Sequence, residues 1–386
     1  MTRHLHFSEQ ELAHRRANAA SLMKSRGLDA VLMFRQESMY YLTGYDTFGY
    51  VHFQCLMMTS DGRMVLLTRS ADQRQAAFTS MIEDIRVWVD SAHANPANGL
   101  KGILEEFGLR GCAIGVEYDA FGLTAHNGMR LQQALGDFVS LRDASHLVSE
   151  LRLIKSPAEI TYVRRAAELA DEAWHVAVEA ARPDACETDI LAAMHAAIYR
   201  GGGDDPANEF IIGSGSGAMM CRYYSGRRKL SANDQLTLEF AGVYRHYHAA
   251  LMRTIAIGKP PARQRELWAA ATDALQASEA AACPGQTFGA VFAAHARALD
   301  NKGLGMYRLN ACGYSLGSTY APSWMDWPMV YEANPMPIRP GMVVFLHMII
   351  FDDETGLAAT LGRTSLITET GAEPLSAAAL DLVINH

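Results

Sequence analysis

The chain has 386 residues, 49% of them hydrophobic and 20% charged, and a formal net charge of -8. That composition suits a globular protein with room for two domains and argues against a nucleic-acid surface, which needs clustered positive charge. The six cysteines are scattered without a CxxC pair, the N-terminus lacks an apolar signal core, and no apolar run approaches the ~20 residues of a bilayer span, so the expectation is a cytoplasmic protein with reduced thiols and no membrane partner.

In chain order, residues 8–27 read as an amphipathic helix with Ser8 as N-cap and Gly27 past its end. Residues 30–34 form a short apolar strand, and residues 54–59 and 64–68 pair as a hairpin across Ser60-Asp61-Gly62-Arg63. Further strands are expected at 85–89, 113–116 and 138–141, with helices between several of them. This alternation predicts a small α/β domain over residues 1–150. A boundary follows: Ser156, Pro157 and Glu159 have the pattern of a capping box that opens a long alanine-rich helix toward Arg182. A second helix spans 187–200. Strands are then expected at 210–213, 236–240 and 343–350, and helices at 261–283 and 288–302. Helices on a mostly antiparallel sheet predict an α+β domain over residues 151–386.

Within that second domain, Glu239 is the residue to explain. The stretch Leu236-Thr237-Leu238-Glu239-Phe240 is a β-prone apolar strand with one carboxylate at its centre. A buried ionised carboxylate costs several kcal/mol unless it is paired, hydrogen-bonded, metal-bound or protonated.

Five segments in order resemble the creatinase and aminopeptidase P fold, known as pita-bread. They are LIKSPAEI (153–160), LTLEFAGVYRHYHAALMRT (236–254), ACGYSLG (311–317), RPGMVVFLHMII (339–350) and SLITETG (365–371). The resemblance covers essentially the whole chain and implies an α/β N-terminal domain followed by a pita-bread catalytic domain. Metallopeptidases of this fold hold two metal ions with two aspartates, a histidine and two glutamates. The matching positions here are Glu239, Ala250, Tyr314, His347 and Gly362. Hard or borderline dications need several converging carboxylate or imidazole donors, so the expectation is no metal and no other cofactor.

Two readings follow from the lost ligands: a pseudo-peptidase kept as a binding module, or a metal-free hydrolase in the manner of creatinase. Retention of a carboxylate, a phenol and an imidazole favours the hydrolase. Within the fold, the segments FRQESMYYLTGYDTFGYVHFQC (34–55), DDPANEFIIGSG (204–215) and MCRYYSGRR (220–228) resemble those of the ectoine hydrolases. Creatine recognition is disfavoured, because Tyr50 replaces an arginine of creatinase's substrate loop and Met252 and His347 replace its pocket glutamates. Another amidine or guanidine hydrolase, or an Xaa-Pro-peptidase-like protein, remains the alternative enzyme.

The resemblance implies a zwitterionic cyclic amidine, ectoine or 5-hydroxyectoine, as substrate. Glu239 is expected to act as nucleophile or general base, His347 to deliver a proton to the leaving nitrogen, and Tyr314 to hold the reacting centre or Glu239 by a hydrogen bond. Arg222 is expected to clamp the substrate carboxylate, with a structural ion pair as its other reading. His248 matches a substrate-contacting tyrosine of creatinase. Phe48 and Tyr50 lie on a loop that crosses the creatinase dimer interface, which implies a homodimer with shared active sites; ordinary packing is their other reading. Glu209 is a candidate buried acid, and Trp324 and Trp327 are expected to pack at the rim. Arg253 reads as scaffold.

Overall fold

A computed structural model describes residues 3–222 and 226–386. The backbone divides into two compact units, Met1–Arg152 and Leu153–His386.

The first unit runs α1 (Glu9–Ser25), β1 (Ala30–Met33), α2 (Gln36–Thr43), β2 (Cys55–Thr59), β3 (Met64–Arg69), α3 (Ser70–Thr79), β4 (Ile85–Trp88), α4 (Pro96–Glu106), β5 (Ala113–Val116), α5 (Ala125–Leu135), β6 (Ser140–Asp143) and α6 (Leu147–Arg152). Among the described residues its sheet has the order β4-β3-β2-β1-β5-β6. Ser8 caps α1 by accepting from the Glu11 amide at 3.1 Å. Side-chain alternation along the central strands separates two cores. Leu32, Met57 and Leu67 pack with Leu100 and Leu131 of α4 and α5 on one face. Val31, Leu56 and Leu66 pack with Met23, Met39 and Leu147 of α1, α2 and α6 on the other. The strand expected at 138–141 begins only at Ser140, because the amides of Phe138 and Val139 bond back to the Leu135 carbonyl and close α5.

One buried carboxylate organises this unit. Glu117, just past β5, accepts from the amides of Phe34 and Arg35, each at 2.9 Å, and from Ser38 Oγ at 2.5 Å. These bonds seat the start of α2 against the end of β5.

The second unit runs α7 (Pro157–Ala180), α8 (Glu187–Arg200), β7 (Ile211–Ser214), β8 (Asp234–Tyr244), β9 (Tyr247–Ile257), α9 (Ala262–Ala281), α10 (Phe288–Asp300), β10 (Ala311–Ser315), β11 (Asp326–Tyr331), β12 (Val343–Asp352), β13 (Leu357–Thr368), β14 (Gly371–Pro374) and β15 (Val383–Asn385). The capping box forms as the sequence predicts, with both the Ser156 and the Glu159 side-chain bonds present. The main sheet has the order β11-β10-β12-β13-β9-β8-β7, a curled half-barrel of antiparallel pairs. Helices cover one face: Leu346, Met348 and Ile350 of β12 join Leu267, Leu275, Val291 and Phe292 of α9 and α10 in one core. On β8, Gly242 lets α7 lie directly on the strand, since a Cβ there would stand 2.0 Å from the Ala166 carbonyl oxygen. No helix among the described residues is long and apolar enough to cross a membrane.

Candidate active site

The candidate site is built on the face of the half-barrel opposite α9 and α10. Strand register sets it out as a row: Glu239 of β8 pairs with Met252 of β9, Met252 with Gly362 of β13, and Gly362 with His347 of β12. Directly paired residues point to the same face, so this row puts one carboxylate and one imidazole on one surface with an apolar floor between them. Tyr314 of β10 lies opposite Phe345 of β12, two residues from His347 and on the same face. Its hydroxyl donates to Glu239 Oε1 at 3.1 Å.

A cavity of about 140 Å3 opens there, lined by Glu239, Tyr314, His347 and Arg222 at its polar end. Leu309, Met325, Met329 and Ile349 supply apolar walls. The volume is well below the ~300–1,000 Å3 typical of sites for drug-sized ligands. It suits a small ring better than an extended peptide.

Electrostatics follow from burial. Desolvation pushes the Glu239 carboxyl up to about 7, against the lowering effects of the Tyr314 hydrogen bond and the nearby Arg222 guanidinium. Near neutral pH this group therefore both holds and releases a proton, as a general base or acid must. Tyr314 is held well above the usual phenol range, first by burial and then by Glu239, so it stays a donor. His347 is pushed down to about 3 by burial, with His295 and Arg222 adding to the effect. In the free protein His347 is therefore neutral and does not itself hold the proton that the sequence leads one to expect it to deliver. Its Nδ1 is buried and has no hydrogen-bond partner among the described residues. An orphan of that kind costs roughly 1–3 kcal/mol, which a ligand N–H or a water would recover.

Four of the seven expected site residues meet in this cavity: Glu239, Tyr314, His347 and Arg222. Of the other three, His248 is not among its lining residues. His248 is fully buried; its Nε2 accepts from the Ala207 amide at 3.0 Å, and its Nδ1 lies 2.8 Å from the His246 carbonyl. With both ring nitrogens engaged by the chain, His248 is a scaffold residue rather than a substrate contact. Phe48 and Tyr50 belong to the first unit, where Phe48 is 76% exposed and Tyr50 is buried in a short 3-10 turn. Glu209 is exposed rather than buried, because it follows a loop and precedes β7 instead of lying within it.

Trp324 is the main residue that sequence reasoning misplaced. It is 1% exposed, not at a rim, and its indole Nε1 donates to the Tyr314 hydroxyl at 2.8 Å. The β10–β11 connection that carries it showed no motif, so only the fold reveals it. Ile349 was legible in principle, since a wall residue two positions after His347 follows from strand alternation. Arg253 points away from the row and donates to the carbonyls of Met252 and Gly362 at 2.9 and 2.5 Å, bracing the floor from behind.

Residues 15–154 match the creatinase/prolidase N-terminal domain, and residues 161–369 match metallopeptidase family M24. The chain belongs to family M24. It is thus a hydrolase of that family with the pita-bread fold. An uncharacterized hydrolase/peptidase of Sinorhizobium fredii is 29% identical over 98% of this chain and 99% of its own. The ectoine hydrolase of Halomonas elongata is 26% identical, over 96% of each chain. Among solved structures, the prolidase of Thermococcus sibiricus superposes with a TM-score of 0.87 at 19% identity, covering 98% of this chain and 100% of its own. That likeness speaks to the fold.

The M24 name implies metal ions, and the donor set here does not fit a dinuclear centre. Of the five positions that the resemblance assigns to ligands, only Glu239 and His347 carry ligating groups, because Tyr314 is held protonated and Ala250 and Gly362 offer no side-chain donor. Among the described residues no three His, Cys, Asp or Glu side chains cluster to hold an ion. The backbone at Gly362 is decisive. A Cβ there would lie 2.8 Å from the Leu346 carbonyl oxygen, 2.9 Å from Phe345 Cζ and 3.0 Å from His347 Cβ. The Phe345 ring takes up the room that a ligand side chain at 362 would need.

Proposed function

We propose that this M24 chain is a metal-independent hydrolase that opens the ring of a cyclic amidine, with ectoine and 5-hydroxyectoine as its substrates. The observation that carries this reading is the pairing of a single carboxylate poised near neutrality with a neutral imidazole whose Nδ1 meets no donor among the described residues. An amidinium suits both, since it offers a positive charge to Glu239 and an N–H to His347. Arg222, at the mouth, supplies the counter-charge for a carboxylate on the same molecule.

In the general-base route, Glu239 takes a proton from water as the water oxygen bonds to the amidinium carbon between the two ring nitrogens. The tetrahedral centre then collapses with cleavage of one carbon–nitrogen bond, and protonated Glu239 gives its proton to the departing nitrogen. The product is an N-acetylated diaminobutyrate. In the nucleophilic route, Glu239 bonds to that carbon itself, one carbon–nitrogen bond breaks as a water gives its proton to the departing nitrogen, and the hydroxide so formed displaces Glu239 from the carbon, freeing the N-acetyl product. In the general-base route the transferred proton is carried by Glu239 rather than by His347. The relationship to the Halomonas elongata enzyme supports the choice of ectoine, because it extends over nearly the full length of both chains.

Chelator-treated protein incubated with ectoine and followed by NMR should show ring opening to the N-acetyl product. Inertness toward ectoine together with manganese-dependent cleavage of an Xaa-Pro dipeptide would overturn the reading. We further infer a homodimer in which the 45–50 loop of one copy serves the site of the other; the exposure of Phe48 and Val51, at 76% and 59%, supports it. Mixing Phe48→Ala and Glu239→Gln subunits should then restore one working site per dimer. A fully active monomer would rule this out.

A further inference from the structure

A hydrogen-bond chain of fixed polarity ends on Glu239. An indole N–H can only donate, so at the 2.8 Å contact the Tyr314 oxygen must accept from Trp324. The single phenolic proton is then directed along the remaining contact, to Glu239 Oε1 at 3.1 Å. Oε1 is thereby occupied, while Oε2 accepts from no described residue. The two oxygens of one carboxylate are made inequivalent by a tryptophan that never touches it.

The seat of Trp324 is correspondingly rigid. Its backbone amide donates to Asn208 Oδ1 at 3.0 Å. The indole packs against Phe210 and His248, with ring centroids 6.4 and 6.3 Å away. His248 is in turn held by the Ala207 amide and the His246 carbonyl.

We propose that Trp324 is a positioning residue: by compelling Tyr314 to donate to Oε1, it assigns Oε2 to the reaction and keeps Glu239 available as the carboxylate. Without the indole N–H, the Tyr314 oxygen can instead accept a proton from neutral Glu239, and the protonated form gains a partner it now lacks. Donor chains polarise one another, so the loss also weakens the Tyr314 bond to the charged form. Both effects raise the Glu239 pKa. The proposal rests on the reading of Glu239 as the reacting group.

Trp324→Phe keeps an aromatic ring and deletes the donor. The pH at which kcat/KM rises should move up by about 0.5–1 unit, the shift expected from one net hydrogen bond, with activity recovering at high pH. Because Trp324 acts through Tyr314, adding Trp324→Phe to Tyr314→Phe should move the profile no further. An unshifted profile, or the same shift in both backgrounds, would overturn the proposal; Trp324→Leu serves the same arms if the phenylalanine variant does not fold. A second arm needs neither substrate nor a tryptophan variant. One of the five indole N–H resonances should titrate in the wild-type protein and stand still in both Glu239→Gln and Tyr314→Phe. No such resonance, or one that still titrates in Tyr314→Phe, refutes the relay. Because this arm reads the resting protein, it separates failure of the relay from failure of the catalytic role of Glu239, which turnover by Glu239→Gln would expose.

Discussion

Among the described residues, each unit buries one glutamate whose carboxyl is pushed up to about 7, and in both cases burial is the first cause. Their surroundings differ. Glu117 receives two backbone amides and a serine hydroxyl, with partners on both oxygens. Among the described residues Glu239 receives one phenol on one oxygen, and it lines a cavity. A shifted pKa therefore does not by itself mark a reacting group. What distinguishes the two is satisfaction: Glu117 is a filled node that holds a helix start, whereas Glu239 lines a cavity and has one oxygen with no partner among the described residues.

The largest effect that tests this contrast is Glu239→Gln. Loss of the base or nucleophile should reduce kcat by a factor on the order of 10² to 10⁴ or more, while urea unfolding shows stability held or raised. Near-normal turnover would remove Glu239 from the chemistry.

The reciprocal test is at Glu117. Glu117→Ala leaves two amides and a hydroxyl without an acceptor and should destabilise the first unit by about 3 kcal/mol. Glu117→Gln keeps one acceptor oxygen and should cost less, with turnover per folded molecule unchanged in both variants. If Glu117→Gln abolished turnover in folded protein, the division between node and reactant would fail.

A smaller effect follows from the sign of the two shifts. Folded carboxyls at about 7 bind protons that the unfolded chain, near 4.3, has already released, so the folded state holds more protons between those values. That contribution to stability is complete below the unfolded value and is lost as pH rises through 7. Unfolding free energies measured from pH 4.5 to 8 should fall from this source, and Glu239→Gln should flatten its share. Activity runs the other way: kcat/KM should drop about tenfold per unit below pH 7, with no second limb from His347.

The smallest expected effect is none. Chelation should leave turnover unchanged, and elemental analysis of active protein should find far less than one transition metal per chain. Activity lost to a chelator and returned by manganese or zinc would reverse the donor-set argument.

Much of the fold was legible because it is written locally. The Ser156–Glu159 capping box, the hairpin after Thr59 and the apolar strand around Glu239 each depend on neighbours within a few residues. The convergence of Glu239, Tyr314, His347 and Arg222 was legible through the family pattern. What escaped depends on non-local environment. Burial turned His347 from a proton donor into a neutral acceptor, and two contacts with the chain took His248 out of the cavity. Trp324 looked like rim packing because nothing in its own segment records that the hydroxyl of Tyr314 lies within reach of its indole.

The collision built into Gly362 also constrains what this chain can become. A carboxylate at 362 would meet the Phe345 ring and the Leu346 carbonyl before it could reach any ion. Shrinking Phe345 first would leave a void in a close-packed wall, with a stability cost of roughly 3–5 kcal/mol for a fully truncated ring. A route to a metal-binding M24 site therefore crosses a fitness valley, because each first step is harmful alone and the paired change removes the ring contact while the Leu346 carbonyl still has to give way. Laboratory evolution toward metal dependence should find no gain from single substitutions at Gly362, and should have to alter positions 345 and 362 together.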